Sequence, residues 1–174
     1  MVYILVALKP EAQAFVDKYR LKKSKLELYT LFSNENMMLI ISGLGVESAR
    51  NATQTLINHF DITDEDTYIN IGICGADESY KLGELIEIGS IVYDSITYTF
   101  DETKAELTCL DEECSEDLHK IVDMESYGFY DAVTHNPAIK NFSILKVVSD
   151  HFQPQTVTKE RTKELIFNAI KDKF

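Results

Sequence analysis

The feature that most constrains the fold is a set of short apolar runs, each ending at glycine or polar residues. Residues 2–8, "VYILVAL", are continuously apolar, which is typical of a strand buried on both faces of a sheet. Three further runs have this character, at residues 37–42, 67–73 and 142–149. Helical patterns lie between or after them, at residues 46–60, 125–135 and 158–172. This alternation predicts an α/β fold with a largely parallel central sheet, in a single domain over residues 1–174.

Three segments fit this pattern less simply. Residues 25–32 alternate between apolar and polar side chains, which predicts one strand. Residues 85–99 are rich in β-forming residues, and we expect a long strand broken near Gly89. Residues 101–117 carry eight acids and one lysine. That composition favours a solvated surface connection, with at most a short helix, rather than part of the core.

Charge and cysteine content limit the kinds of partner and location. The formal net charge is −12, and such an acidic surface repels nucleic-acid phosphates. The three cysteines are odd in number and lack a C-x-x-C spacing, which favours a reducing compartment over a disulfide framework. No apolar run reaches transmembrane length. We therefore expect a cytoplasmic protein that binds a small molecule, with no nucleic-acid or membrane partner, no metal and no cofactor.

Three acids follow or flank the predicted strands. Ligands of open α/β sheets bind beyond the carboxyl ends of the strands. Glu11 follows the first strand, Asp150 follows the last, and Glu125 begins the helix after "HKIVDM". Each acid also has a purely structural interpretation: Glu11 and Glu125 could favour a helix start, and Asp150 could cap a turn before Pro154.

Two glycine turns end strands that would reach the same edge of the sheet. One is Gly43-Leu44-Gly45, and the other is Cys74-Gly75-Ala76. Glycine lets the backbone approach a ligand, and a following helix offers free N–H groups. The first turn lacks the third glycine of a dinucleotide-binding fingerprint, so as a bare motif it is equally typical of a structural turn.

Four stretches in this order resemble the purine and uridine phosphorylase superfamily, in particular its hydrolytic branch, the methylthioadenosine/S-adenosylhomocysteine nucleosidases. They are "ILVALKPEAQAF", "LIISGLGVESARNAT", "INIGICGADESYKLGELIEIGSIV" and "VDMESYGFYDAV" with "KVVSD". The resemblance implies a three-layer fold with a mixed sheet flanked by helices. It also implies cleavage of the N-glycosidic bond of a purine-like nucleoside, by a homodimer or higher homo-oligomer.

The resemblance also implies a role for each matched residue. Asp150 would protonate, or donate a hydrogen bond to, N7 of the leaving purine, and Ser149 would help to orient Asp150. Met124 and Glu125 would hold the ribose, and Glu11 would deprotonate the attacking water. Further substrate-binding positions at the matched turns would be Ser42, Gly43, Cys74, Gly75 and Ala76.

The nucleophile is predicted to be water rather than phosphate. The phosphorylases carry an arginine where this chain has Asn70, and a hydroxyl where it has Ile73. The arginine of the R-x-x-S-D motif is Lys146 here, a point charge without a bidentate fork. A phosphate-dependent phosphorylase and a nucleoside-binding relative without turnover remain the alternatives.

One interval departs from the resemblance. Between "SITYTF" and "HKIVDMES" the family usually has several dozen more residues, including an aromatic that covers the base. Here the interval is short and acidic. The cover of the base is therefore missing or rebuilt. Three consequences remain open: a different or smaller base, a partner subunit that covers the site, or binding without turnover.

Overall fold

The computed structural model of the chain describes residues 1–171 and 173. Its strands are Val2–Val6 (β1), Lys22–Leu26 (β2), Tyr29–Ser33 (β3), Met37–Ile41 (β4), Thr67–Ala76 (β5), Leu85–Tyr93 (β6), Ile96–Thr99 (β7), Ala105–Cys109 (β8), Ile121–Asp123 (β9) and Asn141–Asp150 (β10). Its α-helices are Lys9–Tyr19 (α1), Val46–His59 (α2), Ser126–Thr134 (α3) and Lys159–Ala169 (α4). A 3₁₀ turn, Pro154–Thr156, follows β10. No helix within the described residues is long and apolar enough to cross a membrane.

The centre of the sheet consists of four parallel strands in the order β4, β1, β5 and β10. These strands are the four continuous apolar runs of the sequence, and every residue of β1 after Val2 is buried. Parallel strands need both faces covered, which explains why the runs do not alternate. The carboxyl ends of β1, β5 and β10 therefore lie at one edge of the sheet.

Beyond β5 the sheet closes into a small ring. β5 pairs with β9, β9 with β8, β8 with β6, β6 with β10, and β10 with β5. β9 is only three residues long, and its Val122 lies opposite Gly75 of β5. This pairing brings residues 123–125, which follow from β9 into α3, next to the carboxyl end of β5.

The helices cover the sheet in two layers, with a separate apolar cluster on each side. Ile4 and Val6 of β1 pack in the cluster that includes α1 and α4, whereas Tyr3 and Leu5 pack in the cluster that includes α2 and α3. α2 and α3 approach each other at Gly128, where a Cβ atom would lie 2.0 Å from the carbonyl oxygen of Val46. The predicted three-layer α/β fold with a mixed, largely parallel sheet is confirmed.

The single strand predicted over residues 25–32 is wrong. The segment is a hairpin of β2 and β3, whose strands pair antiparallel from Lys22 opposite Ser33 to Leu26 opposite Tyr29. The chain reverses at Glu27, which has a positive φ of 51°. A non-glycine residue in this conformation leaves no turn signal in the sequence, so the alternation continues unbroken across the turn.

The break predicted near Gly89 is also misplaced. Residues 85–99 form the hairpin of β6 and β7, which turns at Asp94 and Ser95 with φ values of 49° and 65°. Two positive φ values are the requirement of a two-residue I′ turn, in which Asp is a favoured residue. At Gly89 the chain has only a register shift, between Ile88 and Ser90, in the pairing of β6 with β8.

The acidic segment 101–117 is not a plain surface connection. Its residues 105–109 form β8, which pairs in parallel with both β6 and β9. Leu107 and Cys109 are buried, whereas Glu106, which precedes Leu107, is exposed. The strand is difficult to recognise in the sequence because acids occupy its outward face and the residues on either side of it. The predicted end of the last helix, at residue 172, lies outside the described residues.

Candidate active site

A cavity of about 300 Å³ opens at the carboxyl ends of β1, β5 and β10. Its walls come from each predicted strand end: Ala7 and Leu8 after β1, Cys74 and Gly75 of β5, and Asp150 of β10. The residues after β9 and the first turn of α1 also line it. The position is the one that the topology of an open parallel sheet favours for a ligand.

Glu11 lies at the bottom of this cavity and is 1% exposed. Its Oε2 accepts hydrogen bonds from the backbone N–H groups of Ala7 at 3.0 Å and Leu8 at 2.8 Å, and its Oε1 accepts one from Ile73 at 2.9 Å. Gly72 leaves room for the carboxylate, because a Cβ atom there would lie 2.9 Å from Oε1. Burial raises the pKa of Glu11, although these N–H groups and Lys146 oppose the shift.

Glu125 ends the turn between β9 and α3 and is also buried. Its Oε1 accepts a hydrogen bond from the backbone N–H of Gly45 at 2.9 Å, which ties α3 to the glycine turn before α2. Burial, and then the charge of Asp123, raise the pKa of Glu125 to about 7. A carboxyl group with this pKa changes its charge near neutral pH.

Lys146 and Asp123 form a buried ion pair next to these acids. Lys146 Nζ lies 2.7 Å from Asp123 Oδ2 and donates to Asn70 Oδ1 at 2.7 Å. Asp123 Oδ2 also accepts from the N–H and the hydroxyl of Ser126, at 3.0 and 2.6 Å. Burial by itself lowers the pKa of Lys146, but the charges of Asp123, Glu125 and Glu11 outweigh burial and raise it. Lys146 is therefore a buried, charged side chain that binds Asp123 and Asn70.

Asp150 lies at the end of β10 and is held through both oxygens. Its Oδ1 accepts from the backbone N–H of Gln153 at 2.7 Å, and its Oδ2 lies 2.6 Å from Ser149 Oγ. Ser149 Oγ is also 3.0 Å from the carbonyl oxygen of Cys74. A hydroxyl has one proton and can donate to only one of these two acceptors at a time.

Most of the residues predicted for the site line the cavity, and three do not. Glu11, Cys74, Gly75, Met124, Glu125, Ser149 and Asp150 line it. Ser42 instead directs its hydroxyl to the carbonyl oxygens of Val6 and Gly43. Ala76 is fully buried in the core, and the glycine turn contributes Leu44 to the wall rather than Gly43. Ligand contacts of Ser42, Gly43 and Ala76 stay a prediction that this cavity does not support.

Sequence reasoning missed the residues that cover the cavity. They come from the acidic interval, in a stretch that we call the cover segment (residues 110–114), of which Leu110, Glu112, Glu113 and Cys114 line the cavity. The backbone N–H of Leu110 donates to the carbonyl oxygen of Asp123 at 2.8 Å, which holds the segment against β9. Pro154 and Val157 form another part of the wall. The only signal for this cover in the sequence is that the acidic interval is short. A shortened chain must cover its site with the residues that remain.

The side chains of the cavity that can carry a full charge at neutral pH are all acids. Six lining residues are acids, namely Glu11, Glu112, Glu113, Asp123, Glu125 and Asp150. Of the residues that the structure describes, no lysine, arginine or histidine lines it. A cavity of this kind favours positive charge on a ligand and disfavours a phosphate dianion.

Solved structures with a similar fold are methylthioadenosine/S-adenosylhomocysteine nucleosidases. The enzyme from Helicobacter pylori with butyl-thio-DADMe-Immucillin-A has a TM-score of 0.80 at 13% identity, covering 98% of this chain and 94% of that chain. The enzyme from Neisseria meningitidis with methylthio-immucillin-A has a TM-score of 0.78 at 17% identity, over 98% and 95% of the two chains. The enzyme from Colwellia psychrerythraea 34H with adenine has a TM-score of 0.75 at 17% identity, over 98% and 94%.

The similarity to these enzymes lies in the structure rather than in the sequence. No protein-family model matches the sequence, and no curated protein matches it. Nearly the whole chain is nevertheless covered by each of these structures. The chain therefore has the fold of the methylthioadenosine/S-adenosylhomocysteine nucleosidases.

Proposed function

We propose that the protein hydrolyses the N-glycosidic bond of a purine nucleoside to the free base and a ribose derivative. The observation that carries the proposal is that Glu11, Glu125 and Asp150, far apart in the chain, line one cavity of about 300 Å³. Pockets for small-molecule ligands begin at about this volume. The nucleosidases with the same fold, which hold adenine or an immucillin, support the same class of ligand.

Asp150 is the acid for the leaving base in this proposal. A purine leaves poorly as an anion, so a proton delivered to its ring lowers the barrier. When Ser149 donates its hydroxyl proton to the carbonyl oxygen of Cys74, the 2.6 Å contact between Ser149 Oγ and Asp150 Oδ2 can carry the proton of a protonated Asp150. Ser149 thereby fixes the orientation of the Asp150 carboxyl group at the wall of the cavity.

Glu125 is the group that holds the sugar. Its Oε1 is fixed by Gly45, and its Oε2 accepts no hydrogen bond from any other described residue. This free oxygen can accept a ribose hydroxyl. The sugar becomes positively charged as the glycosidic bond breaks, and an ionised carboxylate beside it stabilises that charge.

Glu11 is the base for the attacking water. Its three backbone hydrogen bonds fix the carboxylate in one orientation, and a carboxylate has further lone pairs for a water molecule. Burial raises its pKa, which makes Glu11 a stronger base than an exposed glutamate. The acidic lining supports water over phosphate as the nucleophile, because a phosphate dianion would meet six acidic side chains and no lining cation of the described chain.

The test is release of free base from purine nucleosides by the purified protein in phosphate-free buffer. We expect steady release from wild type and a loss of about 10²–10⁴-fold in kcat for Asp150→Asn, which keeps the shape of the side chain but carries no acidic proton. Asp117→Asn makes the same change at an exposed position that does not line the cavity, and it should retain full activity.

Other outcomes of this experiment separate the alternatives. Unchanged release by Asp150→Asn would remove Asp150 from its role. Release that depends strictly on added phosphate would make the protein a phosphorylase. Saturable binding of nucleosides without any release would favour a nucleoside-binding protein that has lost turnover.

We also propose a homodimer or higher homo-oligomer, which the resemblance implies, and a cytoplasmic location. Cys74, Cys109 and Cys114 are all free thiols, and this supports a reducing compartment.

A further inference from the structure

Apart from Asp150, the acids of the cavity form two groups with different surroundings. The inner carboxylates, defined as Glu11, Asp123 and Glu125, are buried and accept hydrogen bonds from the protein. The outer carboxylates, defined as Glu112 and Glu113, are exposed on the cover segment. Neither outer carboxylate makes an ion pair or a hydrogen bond with any other residue in the part of the chain that the structure describes.

Among the described residues, no protein cation pairs with the outer carboxylates. Lys146 is the buried lysine behind the inner carboxylates, and it is bound to Asp123 and Asn70 without lining the cavity. Arg50 lines the neighbouring groove and is paired with Asp131 at 2.6 Å. The outer carboxylates therefore face the cavity with their charges unpaired.

Two inner groups also have an oxygen without a hydrogen-bond partner. Glu125 is only 7% exposed and lines the cavity, with Oε1 bound to Gly45 and Oε2 without a protein donor among the described residues. Asp123 also lines the cavity, and its buried Oδ1 has no hydrogen-bond partner in the described part of the chain. A buried carboxylate oxygen is costly to leave without a donor. Together with the outer carboxylates, these two oxygens indicate a ligand that brings hydrogen-bond donors and positive charge.

We propose that the cavity selects nucleosides that carry a cationic amino group and rejects those that carry a phosphate ester, and that Glu112 and Glu113 determine this selectivity. This inference rests on the proposed function, which makes the ligand a nucleoside. It specifies in addition which charge the preferred substituent carries. The outer carboxylates attract the ammonium group at the mouth of the cavity, whereas the same charges repel a phosphate dianion.

The experiment compares three adenosines that differ in the charge of one substituent: 5′-amino-5′-deoxyadenosine (cation), 5′-methylthioadenosine (neutral) and adenosine 5′-monophosphate (anion). Affinity is measured by calorimetry and, separately, kcat/KM by base release. We expect the cation to bind about three- to tenfold more tightly than the neutral compound, as two solvated charge pairs can provide. The monophosphate should bind more weakly than both.

A pair of double variants assigns the effect to the outer carboxylates. E112Q/E113Q should bring the ratio of the affinity for the cation to the affinity for the neutral compound close to one. E116Q/D117N removes two negative charges from the same stretch of chain at exposed positions that do not line the cavity, and it should keep the wild-type ratio. Raising the salt from about 0.01 M to about 1 M, which shortens the Debye length from about 30 Å to about 3 Å, should shrink the ratio in wild type.

The two measurements separate this inference from the proposed function. Base release without any preference for the cation, or a wild-type preference in E112Q/E113Q, overturns the inference and leaves the hydrolase intact. Cation-selective binding without base release overturns the hydrolase and leaves the inference intact. Failure of all three compounds to bind overturns both.

Discussion

The inner and outer carboxylates carry the same charge in the same cavity, but their surroundings give them different properties. Glu11 has three backbone donors, Asp123 has Lys146 and Ser126, and Glu125 has Gly45. The outer carboxylates, by contrast, are exposed to solvent and have no donor among the described residues.

Because of this difference, we expect the inner carboxylates to fix the geometry of the site and the outer carboxylates to determine its selectivity for charged ligands. Removal of a carboxylate from water is costly, and only several well-placed donors or a cation offset that cost. The inner carboxylates are therefore fixed in position and linked to the stability of the fold. Solvated acids on a surface segment contribute little to stability, but they act on a charged ligand as it approaches. We therefore expect substitutions near the inner group to change stability, whereas substitutions in the outer group should not.

The largest effect is expected from Lys146→Met, which removes the cation of the inner group. Asp123 would remain buried without its ion-pair partner, and breaking a buried pair in this way costs about 3–5 kcal/mol in the free energy of unfolding. Urea denaturation measures the loss. Adding Asp123→Asn to Lys146→Met removes the stranded charge and should recover part of it. A loss below about 1 kcal/mol for Lys146→Met would mean that the pair is not truly buried.

A smaller effect is expected from the titration of Glu125. Its pKa is about 7 in the folded protein, whereas the ordinary pKa of a free glutamate side chain is 4.5, so the folded state holds more protons between these two values. Stability from this group is therefore complete below pH 4.5 and is lost as the pH rises through 7, by at most about 1.4 kcal/mol per pH unit.

Glu125→Gln keeps an acceptor for Gly45 but does not titrate. Between about pH 5 and about pH 6, we expect the free energy of unfolding of wild type, relative to this variant, to fall by about 1 kcal/mol. Denaturant titrations of both proteins at each pH measure this difference. A difference that is constant over the interval, or that grows with pH, would contradict the raised pKa.

The sequence predicts the inner part of the site better than the outer part for a physical reason. Strands buried on both faces must be continuously apolar, so the runs that form β1, β5 and β10 are recognisable, and their carboxyl ends must meet. Glu11 and Asp150 follow from that rule. Lys146 is visible in the sequence as a replacement for arginine, but its binding to Asp123 depends on the pairing of β9, a strand too short to give a pattern.

The outer part depends on contacts that the local sequence does not encode. β8 is hidden within an acidic run because only Leu107 and its alternate neighbours face the core. The turn at Glu27 has a positive φ at a residue that is not typical of turns. Asp94 is a residue that such turns favour, but it lies within a continuous run of β-forming residues. The position of the cover segment follows from β8 and β9 together, so the sequence alone predicts only a surface connection there.

The smallest effect is expected from E112Q/E113Q on stability, and this variant gives the sharpest contrast with Lys146→Met. Both side chains are exposed and unpaired, so their loss should change the free energy of unfolding by less than about 0.5 kcal/mol. E116Q/D117N, with the same change in net charge, should give the same small value by urea denaturation. A destabilisation well above that of the control would show that Glu112 and Glu113 belong structurally to the inner group, because exposed acids free of protein partners have no buried contacts to lose.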